Sequence, residues 1–216
     1  MTSIVLVDDH NVVRQGLRAI LEAEVDFSVV GEASNGLDGI RLVDSLHPDI
    51  LVVDIMMNGI NGLEVARRIS RSSPKTGIVV LSMYDNEAYV IEALKAGAKA
   101  YVLKGATSNE LVEAIRAVAA GRRYLSSPIS ERAIETYMRK AEAPSVDPYD
   151  MLTPREREVL FLASQDLSNN EIADQLVISR RTVEVHRHNV MRKLGLRNRI
   201  QLLRYAVQRG IIPAEK

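Results

Sequence analysis

Over the first 121 residues, five short runs rich in β-branched side chains alternate with longer segments of helical period: Ser3–Val7, Ser28–Gly31, Ile50–Val53, Ile78–Leu81 and Ala100–Leu103. Near-continuous apolar strands of this kind are buried on both faces, which requires helices above and below a parallel sheet. The alternation predicts an α/β fold, a doubly wound five-stranded parallel sheet of flavodoxin-like order 2-1-3-4-5. Between the first two strands the spacing predicts a helix over Asn11–Glu24, with Val13, Leu17, Ile20 and Leu21 on one side and Asn11 able to cap its start.

The alternation stops at Gly121. Residues 122–150 read as a partly helical linker, helix-compatible to about Lys140 and then broken by Pro144 and Pro148. Helices are predicted near 154–164, 169–176, 180–194 and 199–209. Thr153-Pro154-Arg155-Glu156 and Ser168-Asn169-Asn170-Glu171 both fit a capping box, and Ser179 can cap the third helix. Loops this short between small helices predict a second, smaller all-α domain of the helix-turn-helix kind over 151–216.

Formal charge separates the two parts. Residues 1–121 carry 16 acids and 11 bases, whereas 151–216 carry 7 acids and 12 bases, and the linker is balanced. A basic tail points to a nucleic-acid-binding end, although a solvated basic helix surface would look similar. The chain has no cysteine, which excludes disulfides and thiolate metal sites. Its N-terminus has no basic leader, and no apolar run is of membrane-spanning length, so no membrane association and a cytoplasmic location are expected.

Polar groups follow four of the strands: Asp8 and Asp9, Asp54, Ser82 and Lys104. In a parallel sheet these ends share one edge, and in the 2-1-3-4-5 order the first and third strands flank the switch point where ligands bind. The three aspartates then converge. Two ionised carboxylates about 4 Å apart repel by roughly 4 kcal/mol at an effective dielectric near 20, so the cluster requires cations. Lys104 supplies one, and a divalent ion with oxygen ligands, for which Mg2+ is the natural choice, supplies the rest. Asp54 can then serve as a carboxylate nucleophile toward a phosphoryl group, with Ser82 hydrogen-bonding the transferred oxygen. A single aspartate at a strand end is commonly turn punctuation, but five such groups at four strand ends are not explained that way.

Val7-Asp8-Asp9-His10, Val53-Asp54-Ile55-Met56-Met57-Asn58-Gly59, Leu81-Ser82 and Ala100-Tyr101-Val102-Leu103-Lys104 resemble the signature of receiver domains of two-component response regulators, over residues 1–121. The resemblance implies that Asp54 is the phosphoacceptor and that Asp8, Asp9, Asp54 and the Met56 backbone carbonyl hold Mg2+. It also implies that Ser82 and Lys104 contact the phosphoryl group and that Tyr101 is an aromatic switch turning inward. Asn58 and Gly105 stand where prolines are common in such domains. Met56 and Tyr84, each two residues beyond a site residue, are expected to shield the acyl phosphate from water. His10 beside the aspartates reads as a supporting rather than catalytic residue.

Along the third C-terminal helix, stepping 100° per residue places Val183, Val190 and Leu194 on one stripe. Arg181, Glu184, Val185, His188 and Arg192 fan over the opposite side. Val185 suits a thymine methyl and Glu184 a cytosine amino group. Arg180, Arg181, Thr182, Arg187 and Lys193 are candidate DNA phosphate contacts. His186 and His188, at i, i+2, lie on different faces and make no metal pair. Leu152-Thr153-Pro154-Arg155-Glu156, Glu171-Ile172-Ala173, Thr182-Val183-Glu184-Val185-His186 and Lys193-Leu194-Gly195 resemble the output domain of NarL/FixJ (LuxR-type) regulators. That resemblance implies that Glu184, Val185 and His188 face bases.

Together these features lead us to expect a non-enzymatic regulator of transcription, phosphorylated at Asp54 by a sensor histidine kinase. The modified form would dimerise and bind double-stranded promoter DNA, with RNA polymerase a further partner. A regulator independent of phosphorylation is the alternative. A phosphatase reading lacks the acid two residues after Asp54, where Met56 stands.

Overall fold

The computed structural model describes residues 1–57, 59–85, 87–126 and 147–212. The chain divides into two compact units, Met1–Glu135 and Thr136–Lys216.

In the first unit the strands are β1 (Thr2–Val7), β2 (Phe27–Ala33), β3 (Ile50–Asp54), β4 (Gly77–Ser82), β5 (Ala100–Leu103) and β6 (Tyr124–Leu125). They form one parallel sheet in the order β2-β1-β3-β4-β5-β6. Around it lie α1 (Asn11–Glu22), α2 (Gly36–Leu46), α3 (Gly62–Ser72), α4 (Glu87–Lys95) and α5 (Ser108–Ala119). The five expected strands and their order are present, and a sixth is added. Gly121, at φ +77°, turns the chain after α5, and Tyr124 and Ser126 then donate to the Lys99 and Tyr101 carbonyls at 3.0 Å. Two residues are too few to show a strand period in sequence, so this edge is set by pairing alone. The helix expected up to about Lys140 lies outside the described residues.

Every residue of β3 and β4 is buried, consistent with a sheet covered on both faces. On one face Ile4, Leu6, Ile50, Val52, Val79 and Leu81 pack against Leu21 of α1 and Leu111, Ile115 and Val118 of α5. Asn11 does not cap α1 as expected: His10 occupies the cap position without a side-chain bond, and Asn11 Oδ1 accepts from Arg14 instead.

The second unit holds a short 3-10 turn (Pro148–Met151) and helices α6 (Pro154–Ser164), α7 (Asn169–Leu176), α8 (Arg180–Lys193) and α9 (Arg199–Gln208). Both anticipated capping boxes are formed, and Ser179 caps α8 through the Thr182 N–H. The turn from α7 to α8 passes through Val177 at φ +52°, a conformation that crowds a β-branched side chain, and the residue is 89% exposed, so packing offers little return. Val177→Gly is therefore expected to stabilise this unit by about 0.5–1 kcal/mol after allowing for glycine's greater unfolded freedom. Urea titration followed through the unfolding of this unit measures it. Among the described residues, no helix is long and apolar enough to cross a membrane.

Candidate functional site

The carboxyl-terminal ends of β1, β3, β4 and β5 deliver the anticipated residues to one place. Asp8 and Asp54 are 1% and 3% exposed, and Ser82 is fully buried. Lys104 Nζ donates to Asp8 Oδ2 at 2.8 Å and to Asp54 Oδ2 at 2.7 Å. Its backbone N–H bonds the Ser82 carbonyl at 2.7 Å, which carries the side chain across β4 to reach both acids. Burial pushes the Asp54 carboxyl above the usual range despite the pull of Lys104. Burial also works against the charged Lys104, but its bonds to Asp54 and Asp8 outweigh this and raise its pKa. One ammonium thus stabilises the buried charge only in part, and further positive charge is favoured at this edge.

Carboxylate oxygens of Asp8, Asp9 and Asp54 and a nitrogen of His10 all lie within 4.8 Å of one another. Oxygen-rich, anionic and partly open, this set suits a hard divalent cation such as Mg2+. Met56 follows in the loop, its N–H directed to Asp54 Oδ1 at 3.3 Å.

Ser82 Oγ accepts from the Tyr84 N–H at 3.0 Å, and the Ser82 hydroxyl also hydrogen-bonds the Tyr101 side chain. The Tyr84 carbonyl accepts from the Tyr101 hydroxyl at 2.6 Å, and the Tyr84 ring stacks on Tyr89 with centroids 4.9 Å apart. Tyr101 is 1% exposed, so the aromatic expected to turn inward already lies inside. Met56 and Tyr84 are each half-buried near the site. Asn58 lies outside the described residues. Gly105 is in a turn closed by the Ala106 N–H on the Leu103 carbonyl, and a Cβ there would meet open space.

Three contributions escaped the sequence reading, which had given Tyr84 only a shielding role. Arg14 reaches from α1 to the Asp8 carbonyl at 2.7 Å. Tyr84 supplies the main-chain link between Ser82 and Tyr101. Gly62, the first residue of α3, lets that helix start against β3: a Cβ there would overlap the Asp54 carbonyl oxygen and lie 2.8 Å from its carbon. A glycine three residues before the valine of an amphipathic helix carries no such message in sequence.

In the second unit, α8 buries Val183 and Val190 and half-buries Leu194 just beyond its end. Arg181, Glu184, Val185, His188 and Arg192 are all exposed on the other side, as the 100° stepping requires. Arg180 Nε holds Glu184 Oε1 at 3.0 Å, and Arg187 donates to Asn169 Oδ1 at 2.7 Å. Ser168, Asn169, Asn170, Arg180 and Arg187 line a cleft of about 330 Å³ beside the start of α7. Thr182 is half-buried with its hydroxyl 2.8 Å from that of Ser179.

The two units match two known domain families. Residues 4–116 match the response regulator receiver domain, and residues 150–206 match the bacterial regulatory proteins of the luxR family. Over 214 residues, 97% of this chain and 98% of the relative, it is 35% identical to the oxygen regulatory protein NreC of Staphylococcus epidermidis. The chain belongs to the NarL/LuxR family of response regulators. The transcriptional regulatory protein LiaR of Bacillus subtilis is likewise 35% identical, over 98% of this chain and all of the relative. Among solved structures, RcsB of Salmonella enterica serovar Typhimurium, bound to a promoter in the presence of a phosphomimetic, has a TM-score of 0.60 at 28% identity. That match covers 94% of this chain and 97% of RcsB.

Within this response regulator one anticipated DNA contact is otherwise engaged. Lys193, expected at a phosphate, donates to Glu156 Oε2 at 2.6 Å and to the Met151 carbonyl at 3.1 Å, tying the end of α8 to the start of α6. The same Glu156 oxygen accepts the Thr153 N–H of the capping box. Burial works against the Glu156 carboxylate, but Lys193 and the Thr153 N–H outweigh it and hold its pKa below the usual range. A carboxylate depressed in the folded state contributes stability above its unfolded pKa and loses it as pH falls through the folded one. Lys193→Met should cost this unit about 1–3 kcal/mol near neutrality and flatten its acid-side stability loss, measured by denaturant titration across the acid range.

Proposed function

We propose that Asp54 accepts a phosphoryl group from a sensor histidine kinase, and that the modified regulator dimerises and binds promoter DNA through α8. The observation that carries this reading is Lys104 Nζ bridging Asp8 and Asp54, with Ser82 ending the strand paired to that of Asp54. Asp54 attacks phosphorus as its bond to the donor breaks, and Lys104 and Ser82 then take the phosphoryl oxygens. Asp8, Asp9, Asp54 and the Met56 carbonyl would hold Mg2+, which when bound offsets charge on the phosphoryl group. Phosphorylation adds roughly −1.5 to −2 charges, drawing Lys104 and Ser82 toward it, and the Ser82–Tyr84–Tyr101 linkage passes that displacement to the loop before α4. The group is held rather than turned over, because Met56 stands where a proton-transferring acid would assist hydrolysis, and with Tyr84 it limits water access. The protein is therefore a switch and not an enzyme.

Glu184, Val185 and His188 are assigned to bases, and Arg180, Arg181, Thr182 and Arg187 to phosphates, with Arg180 also holding Glu184. The promoter-bound RcsB relative supports DNA as the partner. A cytoplasmic location and an encounter with RNA polymerase follow from regulation of transcription.

A second reading, in which the regulator works without phosphorylation, draws on Tyr101 already lying inside. Acetyl phosphate separates the two. We expect a persistent adduct of one phosphoryl group per chain by intact mass, and DNA affinity raised about 5–150-fold. Equal affinity with and without the donor would establish the second reading, and sustained phosphate release would make the protein an enzyme.

A further inference from the structure

Resting on the cation site proposed above, we infer that His10 is a nitrogen ligand of that site and tunes it toward divalent transition-metal ions. His10 Nδ1 lies 2.9 Å from Asp9 Oδ1 and 3.4 Å from Asp8 Oδ1. Neighbouring ligands of an octahedral ion with bonds near 2.1 Å stand about 3.0 Å apart, so the separation from Asp9 is that of adjacent positions on one ion. The His10 backbone is set for this. Its N–H donates to Asp8 Oδ1 at 2.8 Å and its carbonyl accepts the Arg14 N–H at 3.0 Å, the bond that opens α1. The imidazole is 67% exposed, so it can swing onto an ion without leaving a packed position.

Imidazole changes the selectivity of an oxygen site. Mg2+ prefers oxygen ligands and water, and gains little from nitrogen. Mn2+ and more strongly Ni2+ accept nitrogen, in the order of increasing affinity along the first transition row. The carboxylates alone would bind both classes of ion, and His10 adds affinity for the second class only. The competing role for His10 is a hydrogen bond from Nδ1 that merely orients Asp9, and it would help every ion alike.

Chelator-treated full-length protein titrated with Mg2+ and with Ni2+ by calorimetry distinguishes these roles. We expect His10→Ala to weaken Ni2+ binding at the Mg2+-competed site by about tenfold or more while leaving Mg2+ affinity unchanged. Pulsed electron paramagnetic resonance on the Mn2+-loaded protein should show a nitrogen coupling that His10→Ala removes. If His10→Ala weakens both ions equally and His10→Asn restores both, His10 only orients Asp9 and the inference is overturned. Unchanged Ni2+ binding or no nitrogen coupling overturns it too. A wild-type protein that binds no Mg2+ would instead remove the carboxylate site itself, and the inference with it.

Discussion

Asp54→Asn is expected to abolish phosphoryl uptake from acetyl phosphate, and with it the entire donor-dependent gain in DNA affinity. The amide retains the size of the carboxylate but is no nucleophile, and it removes one negative charge from a cluster in which Lys104 bridges two acids. Because burial pushes the Asp54 carboxyl up in the folded state, relief of that buried charge should leave the receiver no less stable near neutrality. Loss of uptake with unreduced stability then separates chemistry from folding. Intact mass after donor treatment, DNA titration and denaturant unfolding give the three readings. An Asp54→Asn protein that still gained a phosphoryl group would move the acceptor elsewhere.

Gly62→Ala should have an effect of similar size by another route. The added methyl would overlap the Asp54 carbonyl oxygen, and Gly62 N–H already bonds the Ile55 carbonyl at 2.9 Å, so neither backbone can yield separately. Either α3 lifts from β3 or the loop bearing Asp54 and Met56 shifts. We expect a stability loss of about 3 kcal/mol or more and phosphoryl uptake slowed well beyond what residual unfolding explains. Near-normal stability with normal uptake would show that the helix start is not held against the strand.

Much of this site was legible beforehand. Parallel strands buried on both faces put every carboxyl-terminal end on one edge, so Asp8, Asp54, Ser82 and Lys104 had to converge once the strands were recognised. The same holds for α8, where a fixed turn per residue placed Glu184, Val185 and His188 opposite Val183 and Val190. Lys193 and Asn11 have partners that no local pattern shows. The one is taken by Glu156, 37 residues away, and the cap position of the other went to His10, because partners and caps depend on where the backbone arrives. Tyr101 illustrates this in the receiver. Its type marked it as a switch, but its buried position and its bond to the Tyr84 carbonyl depend on the path of the loop after β4.

Residue type and period therefore determine the order of elements and which side chains share an edge or a face, since both follow from local geometry that each segment adopts alone. Folding decided two other matters: that Gly62 must lack a side chain and that Lys193 lies within reach of Glu156. Each is a distance of a few ångströms between separately placed atoms, and such distances arise only when whole elements pack.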